Sequence, residues 1–427
     1  MSSTSSPTND EKVIAQLSFL SNAVSGLLGP DLEDDLYNFI LRYFKKNQGQ
    51  LGKWEIAWGP AVIQLTTDSY AVNAIYVAHS LDRPSWYVIS VAGTNPSSPF
   101  DWLVEDLLVR EQVPWIYALL SAPDAKISLG TAVGLLILQN AKPSGDRPHA
   151  GQGLKDFLSG LPAGKIELNV TGHSLGGALA PTLALWLKDI QWCWNAAGNV
   201  QITALPSAGP SAGNRAFAHY SDQTLATIRF VNALDVVPHA WNEQTLGQLK
   251  NLYAPSIPTD PLMNGLIGWA MQAAAAGDYL SVQPNSPPIP SQINQKIIDP
   301  NAPPFINYII QLAYQHVEAY MNYFGVPSAE FKPLIELYRN PHMLITPALR
   351  LVALRGNISP SYESAQATVP SGPRTIPIAG QPVALPTGPN DPRMAEIVEM
   401  VLAELKKSAA PEQGSGSEVS SGDYEQS

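Results

Sequence analysis

Apolar residues recur along this chain at helical spacing in some stretches and crowd into short strand-like runs in others. Val13, Ile14, Leu17, Leu20, Val24 and Leu27 lie three or four residues apart. Leu32, Leu36, Phe39, Ile40 and Tyr43 repeat that spacing after Gly29 and Pro30. The pattern predicts two amphipathic helices ahead of the main body of the chain. Strand-like runs follow over 54–65, 71–79 and 86–92, and the last is apolar enough to be buried on both faces. Phe100, Leu103, Val104, Leu107 and Leu108 return to one helical stripe. An apolar run then covers 127–138, and a helical segment lies around 152–160. Ile166, Leu168 and Val170 alternate as in a strand, and after two glycines the chain continues as the helix ALAPTLALWLK, in spite of Pro181. Strand signal resumes at 200–206 and 227–233, and a helix is expected over 305–324. Strands alternating with helices predict the α/β class, with a mostly parallel central sheet covered by helices on both faces.

The same pattern divides the chain. Residues 1–10 are expected to be disordered, and 11–350 to form one main domain with an insertion at about 240–305. Residues 351–392 are rich in Pro and read as an extended segment. Residues 393–410 read as a helix started by Asp391-Pro392, with Met394, Ile397, Val398, Val401, Leu402 and Leu405 on its apolar stripe. Residues 411–427, with acidic groups among Ser and Gly, are expected to be a disordered tail.

Composition narrows the choice of partners. A net charge of −11 argues against nucleic acid, which needs clustered Lys and Arg. Apolar residues make up 45% of the chain and charged residues only 14%, so a sizeable core is possible and an uncharged or zwitterionic substrate is compatible. The single cysteine, Cys193, excludes an intrachain disulfide and reads as a small buried or half-buried residue between Trp192 and Trp194. The polar first residues lack the pattern of a secretory signal. The stretch 261–277 is uncharged, but interrupted by Asn264 and Gln272 and too short for a transmembrane anchor. These features favour a cytoplasmic protein, or one exported without a cleavable signal.

The densest chemical signal is GHSLGG at 172–177. A nucleophilic serine needs an exposed hydroxyl, a base and donors for an oxyanion. A sharp strand-to-helix turn presents the hydroxyl of Ser174 and demands small neighbours, which Gly172 and Gly176 supply. His173 sits beside the serine and is read as a packing residue of this elbow. The pentapeptide G-x-S-x-G alone is weak, since it occurs by chance in about one chain in seven of this length. The alternating strand before it and the apolar helix after it make it specific.

With its context, the chain resembles the class 3 lipase family, the fungal-type α/β-hydrolases. The resemblance covers roughly residues 54 to 325. Besides GHSLGG it rests on SVAGT with FDWLVEDL, on SAGPSAGN, on RFVNALDVVP and on QHVEAY. It implies an α/β-hydrolase fold and a Ser174, Asp235, His316 triad. It also implies an oxyanion hole from the backbone of Leu175 and from Thr94, whose hydroxyl could add to its N–H. The family places its lid after the oxyanion turn, where Phe100, Leu103, Val104 and Leu107 have the spacing of either a movable lid helix at a lipid–water interface or a fixed core helix.

The residues themselves leave some competition. His316 follows the Ser, Asp, His order of the fold. His239 and His342 are weaker candidates for the base, as Asp222, Asp260 and Asp299 are for the acid. No motif calls for a metal or another cofactor. The expected activity is hydrolysis of acyl esters, most simply a lipase or esterase on acylglycerols. The alternatives are a phospholipase or other ester hydrolase of this fold, and a catalytically inactive binding or scaffold protein.

Overall fold

Side chains of successive strand residues point to opposite faces, and here each face meets its own core. The computed structural model describes residues 6–64, 70–93, 107–339, 375–378 and 381–384, with 393, 396, 397, 399–401, 403 and 404. Within the main body the strands are β1 (Trp54–Gln64), β2 (Ala71–Ser80), β3 (Trp86–Val91), β4 (Gln112–Pro114), β5 (Lys126–Ser128), β6 (Ile166–His173), β7 (Val200–Ser207), β8 (Gly213–Asn214), β9 (Ala226–Thr227) and β10 (Tyr279–Leu280). The central sheet has the order β1-β2-β3-β6-β7-β9, and a small second sheet the order β10-β8-β5-β4. β1, β2 and β3 pair antiparallel, whereas the β3/β6, β6/β7 and β7/β9 pairs are parallel.

The helices that matter for the site are α1 (Asn9–Leu20), α2 (Leu32–Lys46), α3 (Leu129–Asn140), α4 (Leu175–Asp189), α5 (Pro261–Ala274), α6 (Pro304–Ala313) and α7 (Lys332–Arg339). Ile75, Val77, Tyr87, Ile89, Leu168 and Val170 enter one core together with α3 and α4. Ala74, Tyr76, Ala78, Trp86 and Val88 face the other core, under α1, α2, α5, α6 and α7. Each fully buried Leu or Ile contributes roughly 1.5–3 kcal/mol relative to exposure. The sheet is therefore the shared wall of two cores. Ile397 and Val401, four residues apart, are buried in the α3–α4 core; Met394, Val398, Leu402 and Leu405 lie outside the described residues.

Several local features differ from the sequence reading. α1 begins at Asn9, inside the segment expected to be disordered, because Thr8 and Glu11 form a capping box. The Thr8 hydroxyl oxygen accepts the Glu11 N–H at 3.2 Å, and the Glu11 carboxylate accepts the Thr8 N–H at 2.7 Å. The 227–233 run is regular strand only at Ala226–Thr227. It stays beside β7 as far as Phe230, but Pro206 of β7 has no N–H to give to the ladder. The 127–138 run splits into β5 and α3, because Ser128 caps the helix by accepting the Thr131 N–H at 2.9 Å. Cys193 is exposed, not buried. It lies on the short helix Gln191–Trp194, of which only Trp194 turns into the core. Among the described residues, no helix is long and apolar enough to cross a membrane.

Candidate active site

The carboxyl ends of parallel strands are where α/β sheets place their ligand crevices, and β6 ends between β3 and β7. At that edge Ser174 adopts φ 63° and ψ −127°, a backbone conformation costly for any residue with a Cβ. Close approach explains the glycines around it. A Cβ on Gly172 would run into the Gly176 carbonyl, and one on Gly176 into the Val91 carbonyl at the end of β3. α4 starts at Leu175, so the Leu175 N–H belongs to the first helical turn, whose donors have no acceptor within the helix. Its dipole favours negative charge at this point.

Three side chains named from the sequence come together here. His316 Nε2 lies 2.8 Å from Ser174 Oγ. His316 Nδ1 lies 3.0 and 2.9 Å from the two Asp235 oxygens. His316 and Asp235 are both 0% exposed, while Ser174 keeps partial access to solvent. The Val237 N–H also donates to Asp235 at 3.1 Å. The ring thus meets the carboxylate through Nδ1 and the serine hydroxyl through Nε2.

His316 sits in a widened, π-type turn at Tyr314–Glu318, which joins α6 to the helix Ala319–Phe324. Gln315, His316 and Val317 are all buried there. Widened turns of this kind gather at functional sites.

The other candidates are elsewhere. His239 packs its ring nitrogens against the Thr245 and Ala233 carbonyls, each at 3.3 Å. His342 lies outside the described residues. Asp222 accepts the Gln283 N–H, Asp260 caps α5, and Asp299 accepts the Asn301 N–H. His173 is buried, with Nδ1 3.1 Å from Ser207 Oγ. Its ring centroid lies 4.7 Å from Phe19 and 4.9 Å from His316. Burial, followed by the neighbouring His316, pushes its pKa well below the usual imidazole value. It therefore stays neutral and adds no charge beside His316.

Gly93 lies against the elbow. A Cβ added to it would stand 3.1 Å from the His173 carbonyl and 3.3 Å from the Ser174 Cβ. Thr94, Phe100, Leu103 and Val104 lie outside the described residues. Leu107 opens the short helix Leu107–Arg110, and its side chain lies outside them as well. Among the described residues, no group of three His, Cys, Asp or Glu side chains could hold a metal ion.

Sequence reasoning missed four neighbours of this array. Asn22 accepts the Gly93 N–H at 2.9 Å. Asn232 bridges the Asp235 turn to Gln315. Tyr320 receives the Asn232 N–H at 2.8 Å. The Tyr338 ring lies 5.9 Å from that of His316, and its hydroxyl interacts with the Ser174 side chain. Burial raises the Tyr338 pKa, so the group remains a donor at neutral pH. Asn232, three residues ahead of Asp235 in RFVNALDVVP, and Tyr320, the last residue of QHVEAY, lay within motifs already singled out, whereas Asn22 and Tyr338 did not.

Fold and site define an α/β-hydrolase with a serine at its nucleophile elbow. A sequence profile described as Lipase (class 3) matches residues 115–245. The crystal structure of M37 lipase is similar at 32% identity and a TM-score of 0.68, over 78% of this chain and 98% of that one. Lipase II from Rhizopus niveus is similar at 19% identity and a TM-score of 0.39, over 56% of this chain and 78% of the other. No curated protein sequence matches the chain. The chain belongs to the class 3 lipase family, and is a lipase-type ester hydrolase.

Proposed function

We propose that this protein hydrolyses acylglycerol esters through an acyl-enzyme, with Ser174 as nucleophile, His316 as general base and acid, and Asp235 as the group that orients His316. The observation that carries the proposal is the unbroken array from Ser174 Oγ to His316 Nε2 at 2.8 Å and from Nδ1 to Asp235 at 2.9 Å. Ser174 Oγ attacks the ester carbonyl while its proton passes to His316 Nε2. The tetrahedral oxyanion takes hydrogen bonds from the Leu175 N–H and from Thr94. Collapse breaks the bond to the alcohol oxygen, which leaves with the proton from His316. Water then attacks the acyl-enzyme, gives its proton to His316, and releases the fatty acid as the proton returns to Ser174 Oγ. The Asp235 carboxylate stabilises the imidazolium in both steps. Removing a member of such an array leaves little turnover, because the three act as a unit.

The test is turnover of tributyrin, triolein and phosphatidylcholine by the wild type and by Ser174→Ala, with fluorophosphonate labelling of both. We expect acylglycerol hydrolysis and labelling at Ser174 in the wild type, and neither in the folded variant. A variant that retains its activity would sink the assignment of the nucleophile. Turnover confined to phosphatidylcholine would move the substrate to phospholipids.

A further inference from the structure

Asp235 and His316 are 81 residues apart in sequence, yet the imidazole must meet a carboxylate on one side and a hydroxyl on the other. Asn232 joins the two segments. It is 0% exposed, and its backbone and side-chain polar atoms are engaged. Its carbonyl accepts the Asp235 N–H at 3.0 Å, and its side-chain oxygen accepts the Leu234 N–H at 2.9 Å. These two bonds shape the turn that carries the carboxylate. On the other side, Nδ2 donates to the Gln315 carbonyl at 2.9 Å and to Gln315 Oε1 at 2.8 Å. The Asn232 N–H donates to the Tyr320 hydroxyl at 2.8 Å, and that side chain also meets the Asp235 carboxyl.

Gln315 is the residue before His316 in the widened turn and is likewise 0% exposed. Its Nε2 donates to the Gln292 carbonyl at 2.7 Å, so the end of the 240–305 insertion is fastened to the same point. Nearby, the Ile289 N–H donates to the Val231 carbonyl at 2.8 Å. The turn bearing the acid, the turn bearing the base and the tail of the insertion therefore share one buried amide cluster.

We infer that Asn232, acting through Gln315, is a positioning residue that sets the direction of the His316 imidazole. The inference rests on the roles proposed above for Ser174, His316 and Asp235. A Nδ2 donor held by two Gln315 oxygens fixes the turn along two directions, which a single bond would not. A displacement of about 1 Å at reacting groups costs about 100-fold in rate. The insertion gains a role from the same cluster, because its tail anchors Gln315 from behind.

The experiment compares Asn232→Ala with Tyr308→Phe, which removes a hydroxyl bonded to the Leu249 carbonyl in the same core. For Asn232→Ala we expect kcat to fall about 100-fold with KM unchanged. Fluorophosphonate labelling, which needs no ester substrate, should slow by the same factor. The far-downfield proton signal of the His316 Nδ1–H should broaden or vanish. Tyr308→Phe should lower Tm while keeping kcat and that signal. Should Asn232→Ala not fold, Gln315→Met removes the side-chain half of the clamp and should lower kcat about 10-fold by the same misplacement argument. Folded variants with wild-type kcat and labelling rate would overturn the inference, as would losses that only track the unfolded fraction. If the wild type itself is not labelled at Ser174, it is the proposed function that fails.

Discussion

Asn22 Oδ1 accepts the Gly93 N–H at 2.9 Å, which ties the turn after α1 to the end of β3 beside Ser174. The first helix is thus built into the rear of the site. The Leu17 carbonyl reinforces it by accepting the Tyr76 hydroxyl at 2.7 Å and the Ser90 hydroxyl at 2.9 Å. Asn22→Ala leaves a buried N–H without its acceptor, and we expect a loss of about 1–3 kcal/mol. Urea unfolding of the two proteins measures it, and equal midpoints would contradict the role given to Asn22.

The elbow has no room for a methyl group. In Gly176→Ala the new Cβ meets the Val91 carbonyl, which is backbone and cannot swing aside. We expect a loss of about 3 kcal/mol from overpacking and markedly slower fluorophosphonate labelling at temperatures where the variant is folded. Labelling at the wild-type rate would show that the elbow tolerates the extra atom.

In the proposed mechanism Asp235 acts through Nδ1 of His316. Asn in its place can present an N–H to that nitrogen, which moves the ring proton to Nε2 and removes the acceptor that Ser174 needs. We expect kcat to fall about 10⁴-fold in Asp235→Asn. A loss below tenfold in a correctly folded variant would remove Asp235 from the mechanism.

Far from the site, burial raises the Asp189 carboxyl from 3.8 to about 6, although Tyr220 and Trp115 each donate to it at 2.7 Å. Between those values the folded state binds more protons than the unfolded chain, so stability falls as pH rises and levels off above 6. The loss is on the order of 2 kcal/mol. Asp189→Asn does not titrate, and this part of the slope should be missing when unfolding free energies at pH 4 and pH 7 are compared. Identical pH dependence in the two proteins would refute the assignment.

Much of the architecture was legible because burial writes itself into local patterns. The alternation in β6, the Gly172–Gly176 pair and the apolar run of β3 each follow from one element packed in one way. Ser174, Asp235 and His316 could be named because each sits in a motif whose chemistry has a fixed order along the chain. Asn232 and Gln315 lie inside two of those motifs and Tyr338 outside them, but none carries a mark of its own contacts. Their partners are chosen by tertiary packing between distant segments, and a buried amide in a helix looks in sequence like any surface Gln or Asn. Cys193 failed for the opposite reason, since two flanking tryptophans suggested a core that only Trp194 enters.

The widened turn at Tyr314–Glu318 also fixes a phase. Ile309 and Leu312 upstream and Tyr320 and Phe324 downstream are all locked in one core, so the surplus residue between them cannot be absorbed elsewhere. Deleting the codon for Gln315 would remove that surplus and leave regular α-helix, with the flanks in phase but His316 rotated by about 100°, the angular step of an α-helix. Such a deletion should silence the enzyme more thoroughly than most point substitutions in the same segment, and a scan of single-residue deletions from 308 to 324 would read this out as a minimum centred on the bulge.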